Sequence, residues 1–534
     1  MAAFDYIVVG GGSAGCVLAG RLSENPNISV CLLEAGGPDD SVFIRAPLGF
    51  AATAAVGLNN WRYETVPQAG LNGRRGYQPR GKVLGGSSSI NAMVYTRGNR
   101  FDYDHWASLG NPGWDFDAVL PYFKRAEHSE CFGATEHHGS GGPLNISYLR
   151  SPSVLNQAFA AACAEQGMSA NPDYNGAGQL GYSPSQVTQK GGERWNAARA
   201  YLTPHLGRPN LQVITRAHTQ RLLFEGRQAV GAEYLQGGTL RQVRARREVL
   251  LAGGAFGSPQ LLMLSGIGPA AALQALGLPV VHGLNGVGQN LHDHLTTVLI
   301  YRTPRQDATF GLSAAGFGAI VRGIFEWRRQ RSGLITSNVA ETQGFLQTDP
   351  TAPAPDIQLA LCTGIMDDHT RKNHLGHGYT LHVTLMRPKS RGQVTLQTAR
   401  AQDAPLIDPQ FLAHPHDVAT LAQGARLGYD ILQSPALAPY QGAMLYPFVR
   451  DDTKAVEAFL RQNSDTEYHP CGSCKMGPAS DPMAVVDCVL RVHGVDRLRV
   501  VDASVMPQVT TGNTNAPTIM IAEKAVDLIL GRNA

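Results

Sequence analysis

The sequence predicts an α/β protein: a Rossmann-like βαβ dinucleotide-binding domain, discontinuous along the chain, beside a second α+β domain that contains an antiparallel sheet. Three observations predict it. Residues 6–9 are a short β-branched run that leads into Gly10-Gly-Gly12-Ser13-Ala14-Gly15, a helix-like stretch (16–22) and a second apolar strand (28–33). Strand-like runs return at 211–215, 229–234, 249–252 and 498–501. Between them, residues 379–386 and 393–396 alternate in polarity, which suits a sheet with one solvated face. Chain order therefore divides a first domain into 1–150, 206–296 and 465–534, and leaves 151–205 and 297–464 to the second.

The length of 534 residues is several times the ~150 of one domain, so a sizeable core is available. Hydrophobic residues at 43% against 16% charged, with 60 Gly and 32 Pro spread among apolar runs, exclude global disorder. Lys plus Arg (45) against Asp plus Glu (42) leaves +3, too little for a nucleic-acid binder. Eight scattered cysteines show no disulfide framework and point to a reducing, cytoplasmic setting. The N-terminus has no basic leader pattern, and the longest apolar stretch (249–269) is broken by Gly, Ser and Gln, so neither a signal peptide nor a membrane span is expected.

The remaining segments are read more coarsely. Residues 36–60 read as loop, 61–94 as a Gly- and Arg-rich extended region, and 131–147 as an exposed loop or lid. An Arg-rich helix is expected around 325–331 and a closing helix at 518–530, where apolar residues recur at helical spacing.

Gly10-x-Gly12-x-x-Gly15 sits between a strand and a helix, where glycines permit a tight turn and close approach to a pyrophosphate. Glu34 follows 19 residues later at the end of the next strand, where a carboxylate accepts from ribose hydroxyls. The pattern predicts a dinucleotide without saying which one.

Two further segments, GKVLGGSSSINAMVYTRG (81–98) and GAFGSPQLLMLSGIG (254–268), resemble the two signatures of the glucose-methanol-choline (GMC) family of flavoprotein oxidoreductases. The resemblance continues through GVGQNLHDHL (286–295), YHPCGSCKMG (468–477), LRVVDASVMP (498–507) and GNTNAPTIMIAE (512–523), and is nearest the choline-dehydrogenase-like and aliphatic-alcohol-dehydrogenase-like branches. It implies FAD. Residue by residue it places Gly10, Gly12, Ser13, Ala14 and Gly15 at the pyrophosphate, Glu34 at the adenosine ribose and Thr219 by the adenine, with Ala35, Trp61 and Ala252 also cofactor-binding. Val83, Gly85, Asn91, Ala92, Met93 and Val94 fall along the ribityl and isoalloxazine, with Asp502, Ala503, Asn515, Pro517 and Thr518 completing the site. Some members attach FAD through a histidine where this chain has Ile90, so non-covalent FAD is expected.

The same resemblance makes His469 the proton acceptor and Asn515 the hydroxyl-orienting partner in oxidation of a primary alcohol to an aldehyde. The chemistry suits the residues: an imidazole can take the hydroxyl proton while an amide holds the oxygen. The expected reaction is a dehydrogenase passing electrons to a quinone or another carrier. The alternatives are an O2-using oxidase and a hydroxynitrile-lyase-like member with redox-silent FAD.

Cys471-Gly-Ser-Cys474 could be a redox pair or half a zinc site, but no second pair lies at ligand spacing, and no metal is expected there or at His292-Asp-His294. His137, His138, His369, His374 and His377 read as solvated or lid residues. Arg328, Arg329 and Arg331 with Ile324, Phe325 and Trp327 read as a solvated helix face, with peripheral contact with an inner-membrane surface as the alternative. Glu341 either faces substrate or caps a strand.

Overall fold

The computed structural model describes residues 2–532, apart from the Ala55 side chain. Strands Ala2–Val9 and Val30–Leu33 end in apolar runs buried on both faces, as parallel strands must be. They pair in parallel with each other, with Leu211–Ile214 on one side and with Thr239–Leu251 on the other. Leu498–Val500 adds in parallel to residues 249–251, and His218–Glu225 with Gln228–Gln236 forms an antiparallel hairpin that extends the sheet. Seven strands from three distant stretches of chain thus share one sheet.

A second sheet is antiparallel, in the order Ser464–Thr466, Leu295–Arg302, Gly376–Leu385, Ile357–Cys362, Ala340–Leu346 and Gly181–Pro184. Period-2 alternation sorts its faces. Leu381, Val383, Leu359 and Leu361 enter a core beneath the helix Pro415–Leu432. That helix sits close because it presents Gly424, where a Cβ would lie 2.5 Å from Ile357 Cδ1.

The opposite face carries Thr380, His382 and Thr384, and it is buried rather than solvated, His382 being only 3% exposed. The alternation was legible, but the partners of that face were not: Thr380 Oγ1 donates to Gly364 O, Thr384 Oγ1 to Thr296 Oγ1, and His382 pairs with Glu467.

Other expectations change too. Residues 36–60 contain the helices Val42–Arg45, capped by Ser41, and Gly49–Val56, whose alanines carry helix propensity without amphipathic spacing. The 131–147 segment is fastened rather than free: Leu144–Tyr148 is a strand, and His138 is buried between Glu127 (2.9 Å) and Asp173 (2.8 Å). His377 is buried as well, bonded to Ser313 Oγ at 2.8 Å. The stretch 151–205 divides its loyalties, since Gly181–Pro184 joins the second sheet while Ala198–Leu202 packs on the helix Ser13–Leu22.

The Arg-rich helix runs over Ala314–Gln330. Only Gly316, Gly323 and Trp327 are buried on it, Trp327 donating to Gly192 O at 2.8 Å. Its outer face shows apolar side chains rather than a polar solvated surface. Among the described residues, no helix is long and apolar enough to cross a membrane.

The closing helix Asn515–Leu530 packs along Ser13–Leu22 through a buried polar hub. The fully buried Glu523 carboxylate accepts from Arg21 (2.8 Å), Arg125 (2.8 Å) and Tyr201 OH (2.9 Å), tying four elements to one charge. Glu523→Ala leaves Arg21 with only Glu24 and Arg125 with only Asp527, and strips the buried Tyr201 hydroxyl of its acceptor, so it should lower stability by about 1–3 kcal/mol. Urea unfolding of the flavin-loaded protein checks this, and an unchanged midpoint would remove the hub from the account.

Candidate active site

Strand ends build the site. Val9 runs into Gly10, Leu33 into Glu34, Leu251 into Ala252 and Val500 into Val501-Asp502, so four parallel strands deliver their following residues to one edge, where α/β sheets bind ligands. A single cleft runs along that edge. Gly10 turns at φ +103°, and a Cβ on Gly15 would sit 1.8 Å from Gly10 O, so both positions need glycine.

Gly12 is the N-cap of the helix Ser13–Leu22, and no side chain caps it. The closing helix also begins uncapped, at Thr514. Ser13 Oγ donates to Asn515 Oδ1 at 2.7 Å, so the two helix N-termini meet at the cleft with amides free for an anion.

Around this point Gly10, Ser13, Ala14, Glu34 and Ala35 line the cleft. Both Glu34 oxygens accept glycine amides, Gly11 N at 2.8 Å and Gly36 N at 2.7 Å. Burial pushes the Glu34 pKa up to about 7, opposed by those two bonds and by Lys82. Trp61, with Lys82 Nζ 4.3 Å from its ring centroid, forms an aromatic wall beside Thr219 and Ala252.

Asn91, Ala92, Met93 and Val94 line the next stretch, with Ala503 and Thr518 opposite. Asp502 accepts from Gly254 N (2.9 Å), Ser258 Oγ (2.5 Å) and Ser504 N (2.8 Å), pinning the helix Gly254–Leu264 to the edge. Three predicted residues stand behind the surface. Val83 is fully buried, Gly85 N donates to Gly11 O at 2.8 Å, and Pro517 is buried in the first turn of the closing helix.

The far end of the cleft holds His469, 8% exposed. Residues 291–297 and 464–471 zip together: Ser464–Thr466 pairs with 295–297, Glu467 N donates to His294 O, and His292 and Cys471 exchange backbone bonds. Asp293 Oδ1 accepts His469 N at 2.7 Å, and Tyr468 takes φ +68° to turn the chain. The imidazole itself contacts His294 Nδ1 through Nδ1 (3.0 Å) and Asn513 Nδ2 through Nε2 (3.0 Å).

Asn513 is the amide on His469; Asn515, chosen from the sequence, is not among its partners. Asn515 lies inside the first helical turn, where its carboxamide bonds Ser13, whereas Asn513 precedes the cap Thr514 and bonds the imidazole. The two asparagines are two residues apart in GNTNAP, so the signal was present and the choice between them needed the helix start.

Sequence reasoning also missed a polar group beyond His469. Glu467 pairs with His382 at 3.2 Å, and His369 lies tilted against Tyr468 with ring centroids 4.4 Å apart; all four line the cleft. Burial alone would raise the Glu467 pKa and lower that of His382, but each charge holds the other, so the carboxyl falls to about 2 and the imidazole rises. Burial lowers His369 to about 4. Glu341 takes no part in the cleft: its oxygens accept from Ser153 N, Asn156 Nδ2 and Ser337 Oγ, a structural role.

Cys471 and Cys474 are unpaired and buried, their thiols pushed up by burial, and Cys471 Sγ lies 3.4 Å from His292 Nε2. Among the described residues, no three His, Cys, Asp or Glu side chains are grouped as metal ligands.

Sequence models of the GMC oxidoreductase family match residues 4–296 and 388–522. The chain belongs to the GMC oxidoreductases. It is 45% identical to an alcohol dehydrogenase [acceptor] of Pseudomonas putida, over 99% of this chain and 96% of that protein. It is 44% identical to the mitochondrial choline dehydrogenase of Mus musculus, over 99% of this chain and 90% of the mouse protein. Its fold is similar to pyridoxine 4-oxidase from Mesorbium loti, with TM-score 0.89, 31% identity and 99% and 100% coverage of the two chains. The formate oxidase of Aspergillus oryzae RIB40 gives TM-score 0.91 at 26% identity, covering 100% of this chain and 99% of that one.

This GMC protein is an FAD-dependent oxidoreductase, and its cleft fits that cofactor. The uncapped helix ends at Gly12 and Thr514 suit a pyrophosphate, Glu34 and the Trp61 wall suit an adenosine, and the 90–94 stretch beside His469 suits a flat ring system. Because Asn515 bonds Ser13 at the phosphate end, Asn515→Ala should weaken retention of FAD while leaving His469 and Asn513 in place. Flavin absorbance per protein after exhaustive dialysis measures this; full retention would place Asn515 outside the cofactor cradle.

Proposed function

We propose that this GMC protein oxidises a primary alcohol to its aldehyde and passes the electrons to a quinone or another carrier as a dehydrogenase. One observation carries the reading: a buried imidazole with an amide on its Nε2 closes the end of a cleft whose other end is built for a dinucleotide. The alcohol dehydrogenase [acceptor] and choline dehydrogenase relatives support it. The partition into a discontinuous cofactor domain and a substrate domain, and non-covalent FAD beside Ile90, belong to the same proposal.

When bound, FAD supplies the hydride acceptor. The alcohol hydroxyl takes the place of the Asn513 amide on His469 Nε2, which removes its proton, while Asn513 Nδ2 donates to the alcohol oxygen. Phe50, Ile90, Val339 and Met366 give the substrate end apolar walls. Its carboxylate, Glu467, is already neutralised by His382, and Glu341 is sealed away, so a fixed positive charge finds no free counter-ion. The substrate is therefore an alcohol with an uncharged apolar tail rather than a quaternary ammonium alcohol.

Anaerobic mixing with 1-alkanols should bleach the flavin faster than choline does, and the reverse ranking would overturn the substrate reading. Prompt return of colour in air would favour an oxidase over a dehydrogenase. His469→Ala should slow reduction by about 10²–10⁴-fold, the usual contribution of a general base, while FAD stays bound.

Burial lowers the His469 pKa to about 4, with Glu467 opposing and Arg80 assisting. The imidazole is therefore neutral and basic at every pH above that value. The reduction rate should hold steady as pH falls through 6.5 and drop only near 4; an inflection at 6.5 would contradict the assignment.

The helix Ala314–Gln330 supports peripheral membrane contact. Phe317 and Phe325 are 70% and 64% exposed, with Ile320, Val321 and Ile324 between them and Arg322, Arg328 and Arg329 exposed alongside. An apolar face flanked by cations suits an anionic bilayer surface. The protein should sediment with phosphatidylserine vesicles, and Phe317→Glu with Phe325→Glu should release it; equal sedimentation of both forms would exclude this helix as the contact.

A further inference from the structure

We propose that His294 is a positioning residue that holds His469 as the Nδ1–H tautomer, so that Nε2 is its only basic nitrogen and points at the substrate. The inference rests on the alcohol-oxidising reading above, but its first test does not.

Four groups form one chain of contacts. Thr96 Oγ1 lies 3.2 Å from Asn513 Oδ1, Asn513 Nδ2 lies 3.0 Å from His469 Nε2, His469 Nδ1 lies 3.0 Å from His294 Nδ1, and His294 Nε2 lies 3.1 Å from Met386 O. Two facing ring nitrogens need one proton between them, and the pair alone does not say which ring carries it. The end of the chain decides. A backbone carbonyl only accepts, so His294 Nε2 must carry the hydrogen.

His294 is fully buried, and burial together with the neighbouring His469 holds it neutral. A neutral ring with hydrogen on Nε2 has a bare Nδ1, which accepts. His469 Nδ1 is then the donor, and His469 Nε2 is left as a lone pair that receives the Asn513 amide. The reverse arrangement needs either a buried imidazolium at 294 or two lone pairs facing each other at Met386, and both are unfavourable.

The adjacent Asp293 clamps the backbone of the same histidine, so Asp293 sets where His469 stands and His294 sets which nitrogen is basic. Both residues immediately precede the strand Leu295–Arg302, whose first residues 295–297 pair with 383–385 of Gly376–Leu385, which brings Met386 within reach.

The chain also sets where the proton goes. Once His469 Nε2 has taken the hydroxyl proton, the ring is an imidazolium with both nitrogens protonated. Passing a proton to His294 would only move the charge onto a ring whose other hydrogen faces a carbonyl, which cannot receive it. The proton therefore leaves His469 from Nε2, back through the cleft.

The first test is a long-range 1H–15N correlation spectrum of the FAD-loaded enzyme with 15N-histidine, His469 being assigned by its loss in His469→Gln. The expected spectrum shows a protonated Nδ1 and a bare Nε2 at His469; a protonated Nε2 overturns the proposal. The second compares His294→Asn, which keeps an acceptor near Nδ1, with His294→Leu, which has nearly the same shape and none. Anaerobic flavin reduction by a 1-alkanol should fall on the order of 10²-fold in the Leu variant, with most of the rate restored in Asn. Equal losses in the two would mean that His294 acts only by filling space, and would overturn the positioning role. If the Leu variant does not fold, the wild-type spectrum still decides. An Nδ1–H spectrum together with reduction indifferent to His469→Ala would uphold the lock and sink the base assignment instead.

Discussion

The pairing of residues 291–297 with 464–471 is the constraint on which the site depends. It is a short antiparallel seam in which Glu467 N bonds His294 O and His292 exchanges two bonds with Cys471. The seam lies where the second sheet meets the edge of the first, so the residues that serve chemistry are held by backbone bonds rather than by loop packing. Fixing a side chain this way removes most of its conformational freedom before any ligand arrives, which lowers the entropy that binding must supply.

Charge is managed differently at the two ends of the cleft. At the end with the glycine turn, two uncapped helix N-termini provide oriented amides whose dipoles favour an anion without a lysine or arginine. At the substrate end the ionisable groups are partitioned. Glu467 and His382 neutralise one another, while His469 and His369 are kept neutral by burial. An imidazole that stays unprotonated near neutral pH and a carboxylate that stays ionised are produced by one physical cause, burial, acting on groups without and with a charged partner.

The same logic explains the polar stripe of the second sheet. Thr380, His382 and Thr384 alternate with leucine and valine in a pattern that, in isolation, signals a solvated face. Here that face is closed over by Gly364, Thr296 and Glu467, and its His382 lines the cleft instead of meeting water. The buried His138 follows the same rule: a histidine in a loop-like segment is held inside by two carboxylates rather than left in solvent.

What the sequence by itself determined is the part governed by local geometry. The glycine turn at 10–15, the carboxylate at Glu34, the strands around 211–214, 229–234, 249–251 and 498–500 and the family to which they belong all follow from short-range spacing, because a tight turn or a buried strand leaves a contiguous trace. The histidine at 469 was reachable through family resemblance alone. Only the tertiary structure decided which asparagine faces it, since Asn513 and Asn515 differ only by the position of a helix start. It alone assembled Glu467, His382 and His369 around one cleft and set His294 behind His469, 175 residues away along the chain. Such contacts leave no periodicity in a single chain, because they are set by how two sheets meet and not by what precedes or follows each residue.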